Sequence, residues 1–297
     1  MKKILVIHSW GMGDMILATP MLKSLHLSGY SVDLVLFSDM KILLQGNDFI
    51  NDIFVIKSKL EFIKFFKKYD FLVSTAGTNP QKIQKLNYII DAKKVFASSQ
   101  ETNVHRIDMN LKIVSDLLST KVSEPYIYIK KETDILEKYL KKGMKNIGFA
   151  VGSGSKQKFK RWDKFQELVK KLDANKLLFI GPDEIDLEEQ YKDLDVTIVK
   201  ENILDTISLI SQLDLLVGND NGLMHIGYAT GINTVTIYGM TNEIETGGYR
   251  KNNTSVFLPM QCRPCFDPST DKIGCNTLEC LKDLTIQEVY QKCQKYL

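Results

Sequence analysis

The residues able to do chemistry in this 297-residue chain gather in two Gly-rich turns and one Asp-Asn-Gly box. The first turn, Trp10-Gly11-Met12-Gly13-Asp14, follows the apolar run Ile4 to Ile7. Gly11 and Gly13 allow close approach of backbone to a ligand. Asp14 falls at the start of the next helix, where it serves either as a group facing a cleft or only as a helix cap. Ile16 stands where a dinucleotide-binding Gly-x-Gly-x-x-Gly needs its third glycine, and the end of the second strand offers only Asp39, so the pattern argues against a dehydrogenase. The second turn, Gly152-Ser153-Gly154-Ser155, precedes Lys156, Lys158, Lys160 and Arg161. Backbone amides, the Ser153 and Ser155 hydroxyls and a lysine can cradle a diphosphate. The absence of a Gly-Lys-Ser/Thr ending argues against a P-loop ATPase. In the third segment, Gly218-Asn219-Asp220-Asn221-Gly222-Leu223-Met224-His225, Asp220 and Asn221 can cap a helix whose first amides Gly222 leaves open to a phosphate, with His225 one turn in. Tyr238-Gly239-Met240-Thr241-Asn242 is again small and hydroxyl-bearing at the end of a strand.

Short aliphatic runs alternating with helical periodicity must position these groups, the pattern of a parallel sheet covered on both faces. Strands are predicted over Lys3–His8, Ser31–Phe37, Phe71–Ser74, Lys94–Ala97, Asn146–Val151, Lys176–Ile180, Val196–Val199, Leu215–Gly218 and Thr234–Tyr238. Helices are predicted over Met15–Leu27, Asp163–Leu172 with Asp163 as cap, Leu223–Thr230 and a polar stretch Glu132–Lys142. Each half opens with a strand running into a Gly-rich turn, which places a boundary near residue 142 between two facing Rossmann-like α/β domains. Ligands of open α/β sheets bind outside the carboxyl ends of the strands, so both turns are expected to face one interdomain cleft.

Thirty-nine basic and 36 acidic side chains leave a net charge of +3, too small a field to imply nucleic acid or membrane binding. The apolar run after Met1-Lys2-Lys3 is too short for a signal peptide, and no stretch approaches the ~20 apolar residues of a membrane span. A cytoplasmic protein with reduced cysteines is the expectation.

Taken in order, Gly-Met-Gly-Asp14 with Thr19-Pro20, Lys160-Arg161-Trp162, Gly181-Pro182-Asp183-Glu184, Asp220-Asn221-Gly222-x-x-His225 and Tyr238-Gly239-Met240-Thr241 resemble glycosyltransferase family 9, the ADP-heptose:lipopolysaccharide heptosyltransferases. The resemblance spans almost the whole chain. It implies a GT-B fold, with residues 1–142 binding the acceptor, residues 143–297 binding the nucleotide sugar, and a terminal helix near 285–296 packing back on the first domain. It implies an inverting, single-displacement transfer of heptose from ADP-heptose to a glycan, with Asp14 as general base and Lys160 neutralising the diphosphate without a metal. It places Gly13, Ser153, Ser155, Asp183, Glu184, Asp220, Asn221, Gly222, His225 and Thr241 around the donor, with Asp183 or Glu184 on the ribose. Asn221 stands where Ser or Thr is usual, and Asp163 where proline often follows Lys-Arg-Trp.

Cys262, Cys265, Cys275 and Cys280 crowd one segment, where soft thiolates could hold structural zinc or iron, and Cys293 reads as a small buried hydrophobe. The acceptor side offers Arg106 and Lys112 as cations, and a basic aromatic stretch, Leu60 to Tyr69, that reads first as a helix packed by its phenylalanines and second as a contact for an anionic inner-membrane face. Two alternatives stay open. One is a GT-B transferase using another nucleotide sugar or a protein acceptor, and the other is a module that binds nucleotide sugar without catalysis.

Overall fold

The computed structural model describes residues 1–98, 101–131, 134–267 and 270–297, with Ser155 described by its backbone alone. Two units emerge, Met1–Tyr128 and Ile129–Leu297. In the first, strands β1 (Lys3–His8), β2 (Ser31–Leu36), β3 (Ile53–Val55), β4 (Phe71–Ser74) and β5 (Lys94–Phe96) form a sheet in the order β3-β2-β1-β4-β5. Every pairing in it is parallel. The runs Ile4–Ile7 and Leu34–Leu36 are buried along their whole length, as strands covered on both faces must be. Helix α1 (Met12–Leu27) follows β1, α2 (Pro80–Ile90) follows β4, and α3 (Arg106–Ile113) packs on α1 through Leu17, Ile107 and Leu111.

The second unit repeats this plan with β6 (Asn146–Ala150), β7 (Asn175–Phe179), β8 (Thr197–Val199), β9 (Leu215–Asn219), β10 (Thr234–Ile237) and β11 (Asn253–Val256), ordered β11-β10-β9-β6-β7-β8. Helices α4 (Ile135–Tyr139), α5 (Phe165–Lys171), α6 (Ile185–Tyr191), α7 (Ile203–Ile210) and α8 (Gly222–Thr230) accompany them. In both sheets the order reverses beside the first strand of the unit, between β1 and β4 and between β6 and β9. The Gly-rich turns leave the sheets at these switch points, where a doubly wound sheet opens a crevice.

All nine predicted strands are present to within a residue at each end. Strands β3 and β11, both short edge strands, and the antiparallel pairing of Phe266–Asp267 with Lys272–Ile273 are not among the expected elements. Asp163 does not cap α5, since the helix starts two residues later and Lys164 takes the cap position. The predicted helix Glu132–Lys142 shrinks to α4 among described residues, with Glu132 and Thr133 lying outside them. The segment between Ile129 and the expected boundary near 142 is tied to the second sheet. Lys130 pairs with Asp205, Lys138 and Tyr139 reach Glu201, and Asn175 donates to the Tyr139 carbonyl at 2.8 Å. The terminal helix Ile286–Gln294, capped by Thr285, sets Val289 and Cys293 into the core of the second unit. Among the described residues no helix is long and apolar enough to cross a membrane.

Candidate active site

In the first unit, β1 ends at a fully buried His8 and α1 begins at Met12, with Gly11 as its extended N-cap and no side-chain cap. Gly13 and Asp14 therefore both lie in the first helical turn, and Asp14 is not the cap. Its Oδ1 lies 3.3 Å from Nε of Arg106, the first residue of α3, whose side chain is 8% exposed against 31% for Asp14. Gly77, at φ +83°, sits beside this pair. The backbone conformation calls for glycine, and a Cβ there would lie 2.9 Å from Arg106 Nη1 and 3.4 Å from the Trp10 ring, so the guanidinium would have to shift. His8 supports the turn from beneath, with Nδ1 3.1 Å from Thr75 Oγ1 and Nε2 3.4 Å from the Gly11 carbonyl. Those partners fit a neutral ring whose Nε2–H donates to the carbonyl. Burial pushes the His8 pKa down, outweighing the opposing pull of the Asp14 charge. The sequence reading passed over His8, Trp10 and Gly77, because their importance comes from β4 and α3 closing on the turn. Arg106, expected to meet an acceptor, is engaged with Asp14, whereas Lys112 lies in the last turn of α3 and pairs with Glu101 at 2.8 Å on the surface.

In the second unit the Gly152 turn leaves β6 and passes into a 3₁₀ helix, Ser155–Lys160. The basic run after it divides by partner. Lys158 Nζ and Arg161 Nη1 both reach Asp186 at 2.9 Å, and Arg161 Nε donates to Ser153 Oγ at 3.2 Å. Lys160 turns the other way. Its Nζ lies 3.8 Å from Asp220 Oδ2, with only 12% and 11% of the two side chains exposed, and sits 4.6 Å from the centroid of the Phe266 ring. The side chain of Ser155 lies outside the described residues.

Asn221 joins the Gly152 turn to the α8 box. Its Oδ1 accepts from the amides of Leu223 and Met224 at 3.0 and 3.3 Å, capping α8, while its Nδ2 donates to the carbonyls of Ala150 and Gly152 at 3.0 and 2.9 Å. The expectation that the first amides of α8 lie open past Gly222 is thus corrected, since Asn221 occupies two of them. Only an amide supplies two donor hydrogens and a capping oxygen together, which accounts for Asn in place of Ser or Thr. Buried Asn219, not singled out in the sequence, donates to the Val151 carbonyl at 2.7 Å and accepts from the Trp162 amide at 3.0 Å, holding the loop after Lys160. Buried His225 stacks edge-to-face on Tyr228, whose hydroxyl bonds Thr236 and Tyr238.

Of the two acidic candidates, Glu184 is the one against the turn. Its carboxylate accepts from the Gly181 amide at 3.0 Å, and its Cγ would lie 2.2 Å from a Cβ on Gly152. Burial pushes the Glu184 pKa up, with the Gly181 amide and Arg161 opposing. Asp183 is exposed and offers its carbonyl to Arg161 at 3.2 Å.

The cysteine segment proves to be a clamp on the neighbouring turn. The Met240 carbonyl accepts from the amides of Cys265 and Phe266 at 3.0 and 3.2 Å. Arg263 donates to the carbonyls of Gly239 and Thr241 and pairs with Glu243 at 3.0 Å, fixing buried Thr241. All five cysteines are free thiols. Burial raises the Cys265 pKa, and a hydrogen bond with Cys275 raises it further, while Cys293 is pushed up to about 12 by burial. Among the described residues no group of three or more His, Cys, Asp and Glu is arranged to hold a metal.

Two parallel-sheet α/β units, each with a Gly-rich turn at its switch point, are the units of a GT-B fold. A family model described as glycosyltransferase family 9 (heptosyltransferase) matches residues 82–274, and the chain belongs to that family. It is similar to lipooligosaccharide heptosyltransferase 2 of Campylobacter jejuni subsp. jejuni serotype O:6, with 24% identity over 99% of both chains. Among solved structures it resembles a family 9 glycosyltransferase from Veillonella parvula, with a TM-score of 0.79 and 19% identity over 99% of this chain and 97% of that one. It also resembles the ADP-heptose LPS heptosyltransferase II of E. coli, with a TM-score of 0.74 and 16% identity over 100% and 98% of the two chains.

Proposed function

We propose that this protein transfers a heptose from ADP-heptose to a glycan of the lipopolysaccharide or lipooligosaccharide core, at the cytoplasmic face of the inner membrane. The names of the relatives support the sugar and the pathway. The observation that carries the mechanism is the Asp14–Arg106 pair, a carboxylate in the first turn of α1 held by a buried guanidinium. Asp14 takes the proton of the acceptor hydroxyl as that oxygen forms its bond to the anomeric carbon. The bond from that carbon to the diphosphate breaks on the opposite side, ADP departs with the electron pair, and the configuration inverts. Lys160, partly buried and steered by Asp220, meets the charge growing on the diphosphate, a role for a preorganised cation in place of a divalent ion. The Gly152 turn, Ser153 and the α8 box surround the diphosphate, and Glu184 takes the ribose.

The test is Asp14→Asn, read by transfer to a core acceptor and by ADP-heptose binding. Loss of transfer by about 10²- to 10⁴-fold with binding retained is expected. Unchanged transfer would remove the base assignment, and binding without turnover in the wild type would make the chain a nucleotide-sugar-binding module. A panel of ADP, GDP, UDP and CMP in thermal shift identifies the donor base, with ADP expected to stabilise most. The cysteine segment serves as the clamp on Thr241. About one equivalent of zinc or iron in the purified protein would add a metal-holding role to it.

A further inference from the structure

The connection from β3 to β4 contains a 3₁₀ helix, Lys59–Phe65, capped at Ser58 by a capping box with Glu61. In such a helix residues three apart eclipse one another, so its side chains fall into three stripes. One stripe, Phe62 and Phe65, is buried with Tyr69 and Leu72 in the core of the first unit, as the sequence led one to expect. The next is apolar too but faces outward: Leu60 is 84% exposed, Ile63 72%, and Phe66, which ends the helix, 48%. Phe37, just past β2, adds a further exposed ring 6.1 Å from Phe62. The third stripe holds Glu61 and Lys64.

Charge surrounds this apolar ridge with one sign. Residues 57–68 carry Lys57, Lys59, Lys64, Lys67 and Lys68, all exposed, against Glu61 alone. Glu61 is committed to the cap, accepting from the amides of Lys57 and Ser58 at 2.9 Å each. Two exposed pairs of little strength oppose the lysines, Glu61 with Lys64 at 3.9 Å and Asp91 with Lys67 at 3.8 Å. A ridge of Leu, Ile and Phe projecting from a collar of lysines matches the interface of an anionic bilayer, where apolar tips enter the acyl boundary and ammonium groups meet headgroups.

We propose that this ridge docks the first unit on an anionic lipid surface. The inference rests on the proposed function only in that a lipid-anchored acceptor gives the contact a use, and the binding itself needs neither donor nor transfer. The test is co-sedimentation of the full chain with vesicles of phosphatidylcholine alone or with about one-third phosphatidylglycerol. Binding to the anionic vesicles only, weakened by high salt, is expected. The double variant Leu60→Ser/Ile63→Ser, which changes only exposed side chains and leaves the melting temperature in place, should bind these vesicles at least about tenfold more weakly. Its transfer to a soluble acceptor should match the wild type, which separates this test from that of the base. Equal binding to both vesicle types, or full binding by the double variant, would overturn the proposal. So would a variant that converts a dimer to a monomer with vesicle binding unchanged, since the ridge would then join two copies.

Discussion

Arg106 Nε and Asp14 Oδ1 stand 3.3 Å apart, a buried cation at the start of α3 reaching a half-buried carboxylate at the start of α1. The buried guanidinium is a rigid fork of donors, so it restrains where the carboxylate points. Arg106→Ala is expected to lower kcat by about 10²-fold, the scale of a misplaced catalytic group, while the Kd for ADP stays at the wild-type value. A rise in Kd for ADP with kcat intact would mean that Arg106 serves the nucleotide instead.

Asn221 makes four hydrogen bonds that no hydroxyl side chain can reproduce. Asn221→Ser keeps the cap but strands the carbonyls of Ala150 and Gly152. The expected cost is about 1–3 kcal/mol in urea unfolding, from unsatisfied buried acceptors. A variant as stable as the wild type would show that water or a shifted backbone takes over these carbonyls.

His8 gives the fold a pH dependence of known sign. Its folded pKa is lowered from an unfolded value of 6.5, so the unfolded chain binds the extra proton between the two values. Stability contributed by the neutral ring is present above 6.5 and is lost as pH falls below it, with a slope of at most about 1.4 kcal/mol per pH unit for one proton. Between pH 7 and pH 5 the wild type should lose more stability than His8→Gln in parallel denaturation curves. Identical slopes would remove His8 as the origin.

Lys160 leads to a prediction about metals. With an ammonium meeting the leaving diphosphate, transfer should continue in EDTA, and Lys160→Ala should cost about 10²-fold in kcat. Complete loss in EDTA, reversed by magnesium, would assign the neutralising charge to a divalent ion. Phe266→Ala removes the ring under Lys160, and an effect of up to about fivefold is expected from a partly exposed cation–π contact.

Most of the strands were readable because buried runs of β-branched and aliphatic residues, such as Ile4–Ile7 and Leu215–Val217, carry their own signature. The short edge strands Ile53–Val55 and Asn253–Val256, three or four mostly half-buried residues each, were not. Leu60–Tyr69 was legible as amphipathic but not as 3₁₀, so the outward stripe of Leu60, Ile63 and Phe66 was invisible until the three-residue repeat was known.

The order of the Gly-rich turns, the Asp-Asn-Gly box and the strand–turn–helix alternation lies in the sequence by itself, and it determined the doubly wound units, the family and the positions of Asp14, Lys160 and Asn221. Partner choice was decided by the tertiary structure. Arg106 and Asp14 are separated by 92 positions, Lys160 and Phe266 by 106, and nothing local specifies which of the basic candidates meets a given carboxylate or ring. The spacing of the lysines after the Gly152 turn left Lys158, Lys160 and Arg161 equivalent. Asp186 on α6 takes two of them, and Lys160 instead lies beside Asp220 and the Phe266 ring. Local spacing sets the direction of a side chain, and long-range packing sets what it meets there.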